Sequence, residues 1–448
     1  MHKSGTKGEG SNIIIIENDI VSGHSFFKNN PKIIINEYFS NEEDDKGCHG
    51  AHITGIAHQM APEAEIFVER FPITNYEKIV FLSTPAKIVN TSYSLRIPLL
   101  HLLPEEKLQE LKGILSPTHE INEDQIKKIF KDDKRFDNII RYITQFSEKP
   151  RLGLQPSLEN DLLGFNAQLY EQNESEQEEY EKEIKAYEED YAGTVIKKAI
   201  QKSYHDAKGL HQDAIDLYKG KLRIQSFGNA YQDKDWRYCG SPSLLMEDEF
   251  LNQSIIVMNI DRENKLNGSS NRPDHTLREI IQTVLKNNGI DDPKLVDQKL
   301  QKVQASSLCA LGTNVWSAGA HDSYESQSGT SMAASMVTGV AGLIEGKYAD
   351  FSTNEIRKCL LNSASRQFVI GTGQDERHAI DLPQDQIDLL NQKNLGLRKY
   401  IAFDPAQYGK GILDADATLK YAEFKSANRS AAVDELVAKL SQWKRNQE

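Results

Sequence analysis

A stretch of small residues, Gly329-Thr330-Ser331-Met332-Ala333-Ala334, runs directly into the apolar helical run Ser335-Met336-Val337-Thr338-Gly339-Val340-Ala341-Gly342. A serine at a helix N-terminus holds its hydroxyl beside the positive end of the helix dipole, where an oxyanion formed in acyl transfer is stabilised. Its small neighbours leave room for a substrate carbonyl. The same residues also read as an ordinary capped helix, because Gly-Thr-Ser before an apolar run is a helix-start signal. The two readings part on whether a base, an orienting carboxylate and an oxyanion donor stand elsewhere in the chain. Candidates for all three exist. His49-Gly50-Ala51-His52 supplies imidazoles, Glu17-Asn18-Asp19 supplies carboxylates at the end of an isoleucine run, and Phe227-Gly228-Asn229-Ala230 places an amide after a strand candidate.

The elements that must carry these residues follow from hydrophobic pattern. Ile13 to Ile16, Lys32 to Ile35 and Lys87 to Asn90 are short β-branched runs of the kind buried on both faces of a parallel sheet. Leu222 to Phe227 and Ser254 to Met258 are two further strand candidates, and Asn354 to Ser363 reads as a helix. Residues 97–200 interrupt this α/β pattern with a charged segment of helical period. Ile126, Ile129, Phe130, Phe136, Ile139, Ile140 and Ile143 form one apolar stripe, and Tyr180, Ile184, Tyr187 and Tyr191 form another. The acidic run from Glu171 to Asp190 reads first as a solvated helix face and second as a docking surface. A smaller insertion of similar character is expected over 266–305. Residues 366–400 read as polar loop, and Val433, Leu436, Val437 and Leu440 mark a C-terminal amphipathic helix within 421–448. No internal repeat is present.

Placed in order, these motifs resemble the subtilisin-like serine proteases, or subtilases. Gly329 to Ala334 is similar to the family's nucleophile segment. His49-Gly50-Ala51-His52, followed by Met60-Ala61-Pro62, is similar to its His-Gly-Thr-His helix and the Ala-Pro segment leading into the next strand. Ile88-Val89-Asn90-Thr91-Ser92-Tyr93-Ser94 resembles its substrate-pairing strand, and Tyr408-Gly409-Lys410-Gly411 resembles the segment that closes the domain. The resemblance implies a three-layer α/β fold with a mostly parallel central sheet and helices on both faces. That domain would span 12–420 with a helical insertion, after a flexible N-terminus over 1–11. It implies Ser331 as nucleophile, His49 as general base, His52 as a packing residue and Asn229 as oxyanion donor. Ser92, Tyr93, Ser94, Phe227 and Gly228 would bind an extended polypeptide substrate, in part by strand addition.

Three departures from the family pattern stand out. Strand register puts Glu17 where the family has Asp, and Asp19 where it has Gly, so three readings remain: Glu17 orients His49, Asp19 does so from a shifted turn, or the site has lost activity. Ser335 replaces the family's proline, which would relax the first turn of the helix. Only a short polar stretch precedes the first strand, so maturation is expected to proceed without a pro-segment. The corresponding functions are a serine endopeptidase with a Glu/His/Ser triad, a subtilase-fold protein that binds a partner through the helical insertion without catalysis, or an esterase or peptide ligase on the same triad. Sedolisins also use Glu, but they lack the His-Gly-x-His segment.

Composition narrows the partners. With 66 acidic against 53 basic residues and a net charge of −13, nucleic acid and anionic membranes would be repelled. The N-terminus has neither a signal peptide nor a spanning segment, which predicts a cytoplasmic protein, or one exported without a cleavable signal. Cys48, Cys239, Cys309 and Cys359 form no C-x-x-C pair and are expected to be reduced, although their even number permits two disulfides. Cys48, beside His49, is either an inert packing residue or a thiol that sensitises the site. No cofactor is required by the implied mechanism. Structural calcium is common in the family, yet no metal ligand set can be assigned from the sequence.

Overall fold

The computed structural model describes residues 5–17, 24–35, 48–70, 85–92, 105–115, 123–129, 140–147, 185–186, 189–199, 202, 218–232, 245, 247–287, 290–393 and 398–429. These fall into two compact units. One comprises Met1–Leu95, Asp213–Glu279 and Lys294–Glu448, and the other Arg96–Gln212 and Ile280–Pro293.

The first unit is built on a seven-stranded parallel sheet. Its strands are β1 (Asn12–Glu17), β2 (Ile33–Ile35), β3 (Glu65–Arg70), β4 (Ile88–Thr91), β5 (Leu222–Ser226), β6 (Ser254–Ile260) and β7 (Ser307–Leu311). The spatial order is β2-β3-β1-β4-β5-β6-β7. The isoleucine run forms β1 because β-branched side chains fit a pleated surface covered on both sides. Ile13 and Ile15 pack into the main core, and Ile14 and Ile16 pack with Val89 and Tyr218 on the opposite face. All four isoleucines are fully buried. After β3 the chain crosses back to add β4 on the other side of β1, so strand order reverses between β1 and β4. A crevice opens at the carboxyl ends of the strands at such a reversal, which is where open α/β sheets bind ligands.

Two buried helices cover the main-core face. The histidine helix, His49–Met60, and the serine helix, Thr330–Lys347, pack against each other, and the serine helix also crosses β4, β5, β6 and β7. Their close approach depends on Gly339. A Cβ there would collide with the Met60 side chain and lie 2.9 Å from the Ala57 carbonyl oxygen. Helix Thr353–Asn362, expected over Asn354 to Ser363, starts with a capping box between Ser352 and Glu355.

The region 366–400 departs from the loop expected there. It contains β10 (Phe368–Ile370), β11 (Arg377–Ile380), helix Gln384–Lys393 and β12 (Lys399–Ala402), with the three strands paired in one small sheet. Each strand is three or four residues long and partly exposed, so its alternation is too brief to stand out from polar surroundings. A two-stranded hairpin, β8 (Val315–Ala318) with β9 (Tyr324–Gln327), lies between β7 and the serine helix in the chain.

The second unit is helical where it is described. Helices Glu105–Ile114 and Glu123–Ile129 belong to it, and Ile126, Ile140 and Ile143 of the expected stripe are buried, as are Leu111, Tyr191 and Val195. The Tyr191 hydroxyl donates to the Ser147 carbonyl at 2.7 Å. Most of the acidic run from Glu171 to Asp190, and the C-terminal stripe from Val433 to Leu440, lie outside the described residues. Among the described residues, no helix is long and apolar enough to cross a membrane.

Candidate active site

Glu17 is the last residue of β1, and His49 is the first residue of the histidine helix. The parallel sheet delivers the carboxylate to the crevice while the helix start presents the imidazole. Glu17 Oε2 lies 3.0 Å from His49 Nδ1, with the Glu17 side chain buried and that of His49 one-third exposed. A carboxylate at this distance holds the ring proton on Nδ1 and leaves Nε2 as the basic nitrogen. The extra methylene of Glu, relative to Asp, is thus accommodated within hydrogen-bonding reach of the ring.

His52 is fully buried one turn on, with Nε2 3.2 Å from the Glu325 carbonyl oxygen. Its own carbonyl accepts from Ser317 Oγ at 2.8 Å, so both contacts tie the histidine helix to the β8–β9 hairpin. Burial pushes the His52 pKa below its ordinary 6.5, and the contact with Glu325 opposes this only in part. Cys48, just ahead of His49, donates its thiol proton to Glu325 Oε1 at 2.8 Å and accepts from Gln327 Nε2 at 3.0 Å. Hydrogen bonds from Cys48 and then Gln327 hold the Glu325 carboxyl below its usual range. Cys48, Cys309 and Cys359 are free thiols, and Cys239 lies outside the described residues.

Ser331 is the second residue of its helix and is 5% exposed. At that position its N–H has no intrahelical acceptor and is available at the positive helix end. Its Oγ donates to the Ser92 carbonyl at 3.1 Å, and no described hydrogen bond joins it to His49. Two hydroxyls converge on the Ser331 carbonyl, Ser335 Oγ at 3.0 Å and Ser92 Oγ at 3.4 Å. The Ser335 hydroxyl therefore tethers the first turn at the position where a proline was expected to stiffen it. Ser92 is buried and also donates to Asn90 Oδ1 at 2.7 Å, while Asn90 Nδ2 donates to Thr338 on the serine helix at 2.8 Å. Tyr93, Ser94 and Asp19 lie outside the described residues.

Asn229 follows β5 and is exposed. Its Oδ1 accepts the Thr330 N–H at 2.8 Å. That bond fixes the orientation of the amide, because only the oxygen can accept, and it leaves Nδ2 as a donor beside the serine helix N-terminus. Gly228 takes φ +103°, a conformation glycine adopts without strain, and donates its N–H to Thr330 Oγ1 at 3.1 Å. Phe227, expected in substrate binding, is buried at 3% exposure.

Sequence reasoning missed Asn271. It is fully buried, its Nδ2 donates to the Phe227 carbonyl at 3.0 Å, and its Oδ1 accepts the Ala230 N–H at 3.2 Å. Its own N–H donates to the Gly228 carbonyl at 2.9 Å, so one residue grips the Asn229 loop on both sides. The run Asn267-Gly268-Ser269-Ser270-Asn271 signals only a turn in sequence, and it lies within the stretch read as the smaller insertion. Among the described residues, no group of three or more His, Cys, Asp or Glu is arranged to hold a metal ion.

Residues 161–393 match the subtilase family, Peptidase_S8, a range that includes Asn229 and Ser331. No curated protein matches the chain. Among solved structures it is similar to the prenylagaramide maturation protease PagA, with 12% identity and a TM-score of 0.42 over 94% of this chain and 96% of that one. It is similar to the PatG macrocyclase in complex with peptide, with 11% identity and a TM-score of 0.44 over 94% of each chain. A cold adapted subtilisin-like serine proteinase gives 14% identity and a TM-score of 0.35 over 81% of this chain and 84% of that one.

Proposed function

Because the chain belongs to the subtilase family, we propose that it is a serine endopeptidase in which Glu17 and His49 activate Ser331. The observation that carries this reading is the 3.0 Å contact between Glu17 Oε2 and His49 Nδ1. It supplies the oriented base that a serine nucleophile requires. In the reaction, Ser331 Oγ turns from the Ser92 carbonyl toward His49 and attacks a peptide carbonyl carbon as its proton passes to Nε2. The carbonyl oxygen becomes an oxyanion that receives hydrogen bonds from the Ser331 N–H and Asn229 Nδ2. His49 then gives its proton to the leaving amine, the C–N bond breaks, and an acyl-enzyme remains on Ser331. Water, deprotonated by His49, attacks the ester, and His49 returns that proton to Ser331 Oγ as the ester C–O bond breaks and the acid is released. Glu17 keeps its contact with Nδ1 and stabilises the imidazolium. Every proton moves between side chains of this chain, substrate and water, so the scheme uses no cofactor.

The Ser331–Ser92 hydrogen bond is compatible with this scheme, since catalytic hydrogen bonds commonly tighten only once substrate is bound. A fluorophosphonate probe tests it. Labelling of the native protein at Ser331, absent in Ser331→Ala and strongly slowed in His49→Ala, is expected. A folded protein that resists labelling at every pH would instead mark a catalytically silent member of the family. A turnover comparison between peptides and simple esters separates an endopeptidase from an esterase.

A further inference from the structure

Two clefts, of about 670 and about 200 Å³, meet at Arg366, Asp381 and Lys410, which line both. They lie away from the candidate active site. The Lys410 N–H donates to the carbonyl of Ser307, the first residue of β7, whereas Glu17, Ser92 and Asn229 sit at the carboxyl ends of their strands. Arg366 is committed in two directions, donating from Nη1 to Asp381 at 2.9 Å and from Nε to the Lys410 carbonyl at 3.3 Å. The Lys410 ammonium has no hydrogen bond or ion pair with any described residue. Burial, then repulsion from Arg366 and Arg357, pushes its pKa below the ordinary lysine value. Arg357 adds a further charge, because among the described residues its guanidinium donates only to the neutral oxygens Ser254 O, Leu251 O and Ser306 Oγ.

The two clefts share two cations and one carboxylate, and with the nearby Arg357, which lines neither, the balance among these described residues is three cations against one carboxylate, on a chain whose net charge is −13. A phosphate monoester carries roughly −1.5 to −2 at neutral pH, which matches this surplus. A compact dianion suits the point charge of a lysine, and Arg366 Nη2, which donates to no described residue, would complete its contacts. The larger cleft exceeds a bare phosphate and is otherwise edged by the neutral polar side chains of Ser365, Gln367 and Tyr421. We propose that this cleft binds a phosphate group, free or carried on a small organic molecule, through Lys410 and Arg366.

The test uses the full chain and inorganic phosphate, titrated at an ionic strength held constant with chloride and followed by calorimetry and thermal melting. Saturable binding with a rise in melting temperature is expected. Lys410→Gln should weaken it roughly 10- to 100-fold, the range for a lost charged hydrogen bond, and Lys410→Arg should retain most of it. Arg366→Gln, which leaves Asp381 unbalanced, should weaken it as well and serves if Lys410→Gln does not fold. Phosphoserine in parallel distinguishes the sources: tighter binding than phosphate points to an organic carrier, and equal binding to the free ion. Absence of saturable phosphate binding, undiminished affinity in both Lys410→Gln and Arg366→Gln, or tighter binding of citrate than of either phosphate ligand would overturn the proposal.

Discussion

On the side of the proposed oxyanion donor, Asn271 grips the loop of Asn229 through three described hydrogen bonds, and Thr330 fixes the amide itself. On the relay side, His49 stands one-third exposed, joined to Glu17 across 3.0 Å, while Ser331 Oγ points to Ser92. The sequence departures fall unevenly between the two. Glu17 belongs to the proposed relay and Ser335 to the helix of the proposed nucleophile, whereas Gly228 and Asn229 keep the pattern of the resemblance. The difference is physically reasonable. A donor that stabilises developing charge works only if it is held in advance, since reorganising it during the reaction would cost the stabilisation it provides. A proton relay tolerates a longer acid so long as the carboxylate still reaches Nδ1.

The largest break in this comparison should come from the relay. Glu17→Gln keeps the shape but favours the wrong imidazole tautomer, and kcat/KM for a peptide should fall roughly 10⁴-fold, as in other serine triads. Glu17→Asp withdraws the carboxylate by one methylene, and a smaller loss, about 100-fold, is expected for a displacement of that size. If Glu17→Gln stayed within tenfold of the native rate, Glu17 would not be the orienting acid.

The oxyanion side should give smaller and more separable effects. Asn229→Ala should lower kcat roughly 100- to 1000-fold with KM little changed, the signature of a contact made mainly in the transition state. Asn271→Ala removes two buried side-chain bonds from the loop, to the Phe227 carbonyl and from the Ala230 N–H, and should cost about 1–3 kcal/mol of stability per lost bond. Its kcat should fall less than that of Asn229→Ala. Asn271→Asp, which keeps an acceptor for the Ala230 N–H, should recover part of both losses. Stability loss with an unchanged kcat would make Asn271 a core residue and nothing more.

How much of this was readable in the sequence depends on whether the signal was local. β1, β2, β4, β5 and β6 were legible because buried parallel strands need runs of β-branched or large apolar residues, and Ile13 to Ile16 is such a run. β7, Ser307-Leu308-Cys309-Ala310-Leu311, has no β-branched residue and carried no such mark. The placement of Ser331 and His49 at helix starts, and of Asn229 just after a strand, was legible through short motifs that fix a turn or a helix start. Asn271 was not, because its function is a set of hydrogen bonds to residues about forty positions away in the chain. The same holds for the hairpin contacts of Cys48 with Glu325 and Gln327, which span nearly three hundred positions.

The smallest expected effect concerns His52, which joins the histidine helix to that hairpin. Its folded pKa lies below 6.5 because burial disfavours the charged ring, whereas the unfolded ring titrates near 6.5. Below that value the unfolded chain binds a proton that the folded chain refuses, so stability falls as pH drops through the window between the two pKa values. Above 6.5 the group is neutral in both states and contributes no pH dependence. The slope from this one residue is at most about 1.4 kcal/mol per pH unit. Melting temperatures between pH 7.5 and 5.5 should therefore fall less in His52→Asn than in the native protein. The two curves should converge toward parallel above pH 7, whatever offset the lost ring packing introduces. Parallel curves across the whole range would mean that the ring takes up its proton in place, and that the grip between helix and hairpin does not depend on its neutrality.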